Sequence, residues 1–342
     1  MAKYKIFFGT YSKGEGNGLF YGEFDGGNGE IKTSGSLNIE NPAYLQLRGD
    51  ILYGISETGN FEGENGGALF SVDISGFPQM QITGMNGTHG KSPCHLCLAG
   101  NLIFVSNYSE GSLSIFETDG SGNIEPSYQS IHHFGKSANP QRQEASHIHF
   151  ASAAPDGKYI AVCDLGLDKI LLYPYSANGL FTKAVQTDCP PGSGPRHLTF
   201  SNDGKFMYVI TEMSNTVLVY EYDRGNLNLL QSLPNLPQNF SGKSHAAAIR
   251  VSTDGKFLGA SNRGHDSISI YSLNGKASPE KHVMTGREPR DFGFSPDGKY
   301  LLSADQNDDS ITVFKIENDD FIKTGSLSLP KPVCILFGEE IK

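Results

Sequence analysis

Arg196 in GPRHLTFSNDGK (194–205) and Arg290 in EPRDFGFSPDGK (288–299) each stand seven residues ahead of an Asp-Gly pair. His149 stands in the same relation to Asp156, and His147 lies two residues earlier. These types could do polar chemistry near neutral pH. An imidazole can take or give a proton there. A guanidinium fork pairs with carboxylate or phosphate and stabilises a developing oxyanion. A carboxylate such as Glu212 could orient either group. Other chemistries find no residues: the sequence has no zinc-type His/Cys cluster, no Gly-rich phosphate loop, no Ser or Cys nucleophile elbow and no EF-hand spacing. No cofactor and no metal are expected.

The elements that must position these residues come from a repeat. HFASAAPDGKYIAVCDLGLDKILLYPY starts at His149, RHLTFSNDGKFMYVITEMSNTVLVYEY at Arg196, AAIRVSTDGKFLGASNRGHDSISIYSL at Ala247 and RDFGFSPDGKYLLSADQNDDSITVFKI at Arg290. Degenerate copies start at Ala43 and Cys94. A seventh is split: KPVCILF (331–337) supplies a first strand, and YKIFFGTYSKGEGNGLFYGEF (4–24) the second and third. Each unit reads as four strands. Asp-Gly closes the first turn, and Asp168, Asn215, Asp266 or Asp309 the second. A period of 43 to 51 residues between Asp156, Asp203, Asp254 and Asp297 with four antiparallel strands per unit predicts an all-β, seven-bladed β-propeller. It would form a single domain over 1–342, its ring closed by the C-terminal strand pairing with the N-terminal ones.

In a propeller the first strand of every blade lines the channel, and its start lies beside the end of the second strand. The first position collects Ala43, Cys94, His149, Arg196, Ala247, Arg290 and Val333. The end of the second strand is read as Thr10, Glu57, Asn107, Asp164, Glu212, Asn262 and Asp305, followed by Tyr11, Tyr108, Arg263 and Gln306. These positions are expected to converge on one mouth. Asn107, Asp164, Asn262, Tyr11, His245 and Arg142 are expected as substrate contacts there. The long loops 132–147, 188–195 and 234–245 enter at the same mouth, with Lys136, Arg142 and Lys243 as anion-holding candidates. His95 and His197 should point between blades. His89, His132, His133 and His282 have no positional support.

Composition agrees. Glycine is abundant (41 of 342), Trp is absent, and no sustained helical period occurs. The net charge of −10 argues against nucleic-acid or anionic-membrane partners while leaving room for a small anion held by a few arginines. The start of the chain is polar and strand-like, without an apolar signal core. Five cysteines, mostly in apolar strands, fit free thiols in a reducing cytoplasm. Monomer and dimer are both open.

FFGTYSKGEGNGLF, RQEASHIH, DLGLDKI, GPRHLTFSNDGKFMYVITEMSNTV, SNRGHDSI and EPRDFGFSPDGKYLLSADQNDDSITVF together resemble the seven-bladed propeller lactonases. That family includes propeller-type 6-phosphogluconolactonases and carboxy-muconate lactonizing enzymes. The resemblance covers essentially the whole chain. It implies metal-independent opening of a small anionic lactone, with 6-phosphogluconolactone the leading substrate. By motif its site residues fall on His147 or His149, Arg196, Glu212, and Arg263 or Arg290. Ser146 stands where the family usually has proline, and ASAA (151–154) where it has bulkier residues. His149, in register with Arg196, is the preferred histidine.

Overall fold

The structure is a computed structural model that describes residues 2–341 except 12–17, 126–128, 177–178, 181–182 and 275. Among the described residues there is no helix, and the strands form the seven four-stranded antiparallel blades of a β-propeller. The first strands are Pro42–Arg48, Pro93–Ala99, Ile148–Ala153, Pro195–Phe200, His245–Val251, Pro289–Phe294 and Pro332–Glu340. Their second strands are Ile51–Ser56, Leu102–Asn107, Tyr159–Asp164, Phe206–Thr211, Phe257–Arg263, Tyr300–Asp305 and Lys3–Thr10. The split blade is as the sequence implies: Lys3–Thr10 pairs with Pro332–Glu340, Phe8 opposite Ile335. One blade carries an extra two-residue strand, Gly179–Leu180, and Asn60–Phe61 with Glu64–Asn65 forms a small hairpin. Contacts gather the chain into two compact units, residues 46–233 and residues 1–45 with 234–342.

Local sequence dictates the turns. Gly157, Gly204, Gly255 and Gly298 take φ of 66°, 71°, 74° and 71°, where a Cβ would be strained. The preceding aspartates accept the backbone N–H two residues on, as Asp203 does from Lys205 at 3.1 Å. At the second turn Asp168, Asn215, Asp266 and Asp309 all adopt left-handed φ between 50° and 57°, the conformation Asp and Asn tolerate best among non-glycine residues.

Alternate residues of the strands meet between adjacent sheets. In the unit 46–233, Phe104, Leu113 and Ile115 pack on Ile148, Ile160, Val162 and Leu171. Phe150, Cys163 and Leu172 pack on Met207, Val209 and Tyr220. In the other unit Ile6, Phe8, Phe24 and Ile335 pack on Tyr300 and Leu302. Each such side chain contributes about 1.5–3 kcal/mol by leaving water. All five cysteines are free thiols, and Cys97, Cys163, Cys189 and Cys334 are buried.

Candidate active site

A repeated backbone device aims the candidate side chains. Five first strands begin with proline, at 42, 93, 195, 289 and 332, where a missing N–H costs the ladder nothing. The residue before each proline is left-handed: Asn41, Ser92, Gly194, Glu288 and Lys331, with φ between 37° and 66°. The pairing then slips just inside the strand. Pro195 faces Thr211 and His197 faces Ile210, so Arg196 is the extra residue of a β-bulge. Cys94, His149, Arg290 and Val333 are extra in the same way. A bulge re-aims a side chain out of the alternation of its strand. The repeat position that holds the candidate arginines and histidine is therefore defined by backbone geometry.

In the unit 46–233 the carboxylate of Glu212 is shared by two guanidinium groups. Arg196 Nε donates to Oε2 at 2.9 Å, and Arg142 Nη2 to Oε1 at 2.6 Å. Arg196 and Glu212 are only 2% and 5% exposed, whereas the Arg142 side chain, on the 132–147 loop, keeps 38% of its surface in solvent. Partial burial works against the charge of Arg142. The hydrogen bonds and charge of Glu212 and Tyr108 outweigh it and hold the guanidinium above its ordinary pKa. Arg196 Nη1 lies 2.9 Å from His197 Nε2. A guanidinium only donates, so that nitrogen accepts and His197 is neutral there.

The imidazoles lie beside this triad. His147 stacks on Tyr108, rings 4.4 Å apart at 9°, and its Nδ1 is 3.0 Å from the Tyr108 carbonyl oxygen. A carbonyl only accepts, so Nδ1 donates to it, while Nε2 lies 3.4 Å from Glu144 Oε1. His149 meets Tyr108 and His197 edge-on at 5.5 and 5.3 Å, with Nδ1 3.8 Å from Cys94 Sγ. Burial raises the Tyr108 phenol, partly countered by Arg142. His95 and His197 lie tilted against Phe150, ring centroids 3.8 and 4.6 Å apart, buried between neighbouring sheets.

In the unit formed by 1–45 and 234–342, the place equivalent to Glu212 in the blade of Arg290 holds Gln306, whose N donates to the Glu288 carbonyl as Glu212 N does to that of Gly194. Arg290 Nη2 donates to the Tyr11 hydroxyl at 2.7 Å, and its Cζ lies 5.1 Å from the Tyr11 ring centroid. Arg263 donates to the carbonyls of His245 and Ala246 at 3.3 and 3.2 Å, and His245 itself is exposed.

Three expected substrate contacts are corrected. Asn107, Asp164 and Asn262 are fully buried and engaged inside their blades. Asn107 donates to Ser112 and Ser114, and Asn262 to Ser267 and Ser269. Asp164 accepts from Ser146 at 2.7 Å and from the backbone of His147 at 2.9 Å, and meets His133 Nδ1 at 2.7 Å. The cause is register. The second strands end at Ser56 and Thr211, so Glu57 and Glu212 belong one place later, with Tyr11, Tyr108, Arg263 and Gln306. Asn107, Asp164 and Asn262 turn inward to anchor the second turn, and the candidate side chains stand one residue later. That shift also brings in Tyr108, which the sequence reading placed at this position without giving it a role. Lys136 and Lys243 are exposed, and His133 is a buried structural residue against Tyr173 Oη at 2.8 Å.

The family described as Lactonase, 7-bladed beta-propeller, matches residues 5–337. The chain belongs to that family, a class of lactone-hydrolysing carboxylic-ester hydrolases. Among its relatives, the 6-phosphogluconolactonase of Bacillus subtilis is 31% identical over the full length of both chains. The solved structure of a periplasmic gluconolactonase from Pseudomonas aeruginosa superposes with a TM-score of 0.93 at 32% identity, covering 98% of this chain and 99% of that one. A putative 6-phosphogluconolactonase from Bacteroides fragilis gives 0.91 at 29%, covering 98% of each.

Proposed function

We propose that this protein hydrolyses 6-phospho-D-glucono-1,5-lactone to 6-phosphogluconate in the cytoplasm, without a metal ion. The carrying observation is the Arg142–Glu212–Arg196 triad, with one arginine fixed and the other partly open to solvent, next to two imidazoles. Water adds to the lactone carbonyl carbon and gives a proton to imidazole. The ring C–O bond then breaks, the imidazolium returns its proton to the leaving alkoxide, and the carboxylic acid formed releases a proton to solvent to leave the carboxylate. The fixed guanidinium of Arg196 suits the oxyanion that develops on the carbonyl oxygen, because its orientation is set before reaction. Arg142 suits the anionic end of the substrate. Glu212 holds both arginines rather than reacting. His149, at the same bulge position as Arg196, is the proton carrier in this reading. His147 is a second candidate, its ring held by the Tyr108 carbonyl and stacked on the Tyr108 ring.

Support comes from the relatives named for this reaction and from the agreement of repeat position, bulge geometry and ion pairing. The test is hydrolysis of freshly made lactone by purified protein with chelator present, corrected for spontaneous opening. A rate no higher than buffer rejects the proposal. A rate on unphosphorylated gluconolactone equal to that on the phosphorylated one keeps the class and rejects the substrate. His149→Ala and His147→Ala then assign the proton carrier: the variant that loses the alkaline-favoured limb of the pH profile identifies it.

A further inference from the structure

The DLGLDKI stretch holds an aspartate that touches none of the triad and yet is tied to all of it. Asp168 is 3% exposed at a left-handed turn position. Its Oδ1 accepts from Gly194 N at 2.7 Å and Ser193 Oγ at 3.3 Å. Its Oδ2 accepts from Gly192 N and Ser137 Oγ, both at 2.6 Å. One carboxylate thus joins the 132–147 loop to the 188–195 loop.

From each contact a short path leads to a triad member. The Gly194 carbonyl accepts from Glu212 N at 2.8 Å, and Gly194 precedes the proline that starts the Arg196 bulge. Ser137 N donates to the Gln143 carbonyl at 3.0 Å, closing the loop that presents Arg142. Gly166, in the same turn, lets the 132–147 loop approach: a Cβ there would sit 1.9 Å from the Ala145 carbonyl oxygen. A simpler form of the link occurs in the other unit. Asp266 accepts from Glu288 N, whose carbonyl holds Gln306 N. Asp309 accepts from Lys331 N, whose carbonyl holds Tyr11 N. Asp168 adds three contacts to this shared pattern, and it does so where the ion-paired triad lies.

We propose that Asp168 is a positioning residue that sets the relative placement of Arg142, Glu212 and Arg196 for lactone hydrolysis, a reading that rests on the function proposed above. Asp168→Asn turns one acceptor oxygen into a donor facing N–H and O–H groups. It is expected to lower kcat/KM at least about tenfold at a temperature where the variant remains folded, since small misplacements of binding groups carry costs of that size. Added to Glu212→Gln it should lower activity less than about twofold further, because both act through one unit. A loss that multiplies in the double variant, as general destabilisation would give, overturns the proposal. Asp203→Asn, at the first turn of the Arg196 blade, should leave kcat/KM unchanged. Amide hydrogen exchange decides the point independently of activity. Asp168→Asn should deprotect Gly194 and Glu212 while sparing Tyr208. Unaltered protection there overturns the positioning role even if the wild type opens no lactone, whereas an inactive wild type with the expected exchange pattern overturns only the functional reading.

Discussion

Arg196 and Arg290 occupy the same bulge after the same proline, one in each compact unit, yet their partners differ in kind. Arg196 is buried on a carboxylate and a neutral imidazole, while Arg290 is half-buried on a neutral phenol. An arginine on a carboxylate is held in place but largely neutralised. A tyrosine hydroxyl brings no charge to the contact. The next residue along the strand shows the reverse contrast. His197 lies tilted against the Phe150 ring, whereas Asp291 forms a forked ion pair with Arg250 at 2.8 and 2.9 Å and also accepts from Ile335 N. A shared backbone frame thus fixes where side chains emerge, and local partners decide what each can do.

The largest expected effect is at Arg196. Arg196→Ala removes the proposed oxyanion partner and leaves Glu212 half-paired in a buried place, so kcat should fall about 10²–10³-fold. A KM rise with unchanged kcat would instead place Arg196 in ground-state binding. Arg290→Ala should be milder, about tenfold in kcat/KM and mostly in KM, and equal losses at both sites would erase the distinction drawn from their partners. Tyr11→Phe should cost only about twofold in the same assay, the size of one neutral hydrogen bond that solvent can replace.

Stability sharpens the comparison at the strand-end position. Asp164 gathers a histidine and backbone donors, whereas Asp305 accepts from the hydroxyls of Ser303 and Thr312, each at 2.6 Å, and from the backbone of Gly286. Burial pushes Asp305 from 3.8 up to about 6, against those hydroxyls. The native state therefore holds this proton more tightly than the unfolded chain. Its stabilising contribution is complete below about pH 4 and is lost as pH rises through about 6. Asp305→Asn, which copies the Asn-with-hydroxyl arrangement of Asn107 and Asn262, should be more stable at pH 8 by about 1–2 kcal/mol. It should also flatten the pH dependence of urea unfolding between pH 4 and 7. A variant less stable than wild type at pH 8 would refute this. His282→Ala, the smallest effect, should leave lactone hydrolysis within error.

Much of this was legible in the sequence because the repeat is marked by residues with narrow backbone preferences. The Asp-Gly pairs and the four left-handed turn residues fixed blade boundaries, and the split blade followed from complementary ends. Position along a strand proved harder. Thr211 stands eight residues after Asp203, as Asp164, Asn262 and Asp305 stand after Asp156, Asp254 and Asp297, but matching charged types instead of spacing placed Glu212 level with Asn107 rather than one step beyond Thr211. The role of Asp164 was hidden for a related reason: an aspartate at a strand end looks alike whether it meets solvent or four donors. Arg142 was visible only as a loop charge, since nothing local indicates that it reaches Glu212, 70 residues away.

The pairing of Lys3–Thr10 with Pro332–Glu340 has a consequence for biosynthesis. During translation the second strand of that blade leaves the ribosome roughly 320 residues ahead of the first strand it must pair with. Until then its edge offers open amide and carbonyl groups to any extended segment nearby. The nascent protein is therefore exposed to mispairing at Lys3–Thr10, and deletion of Pro332–Glu340 should trap it in that state.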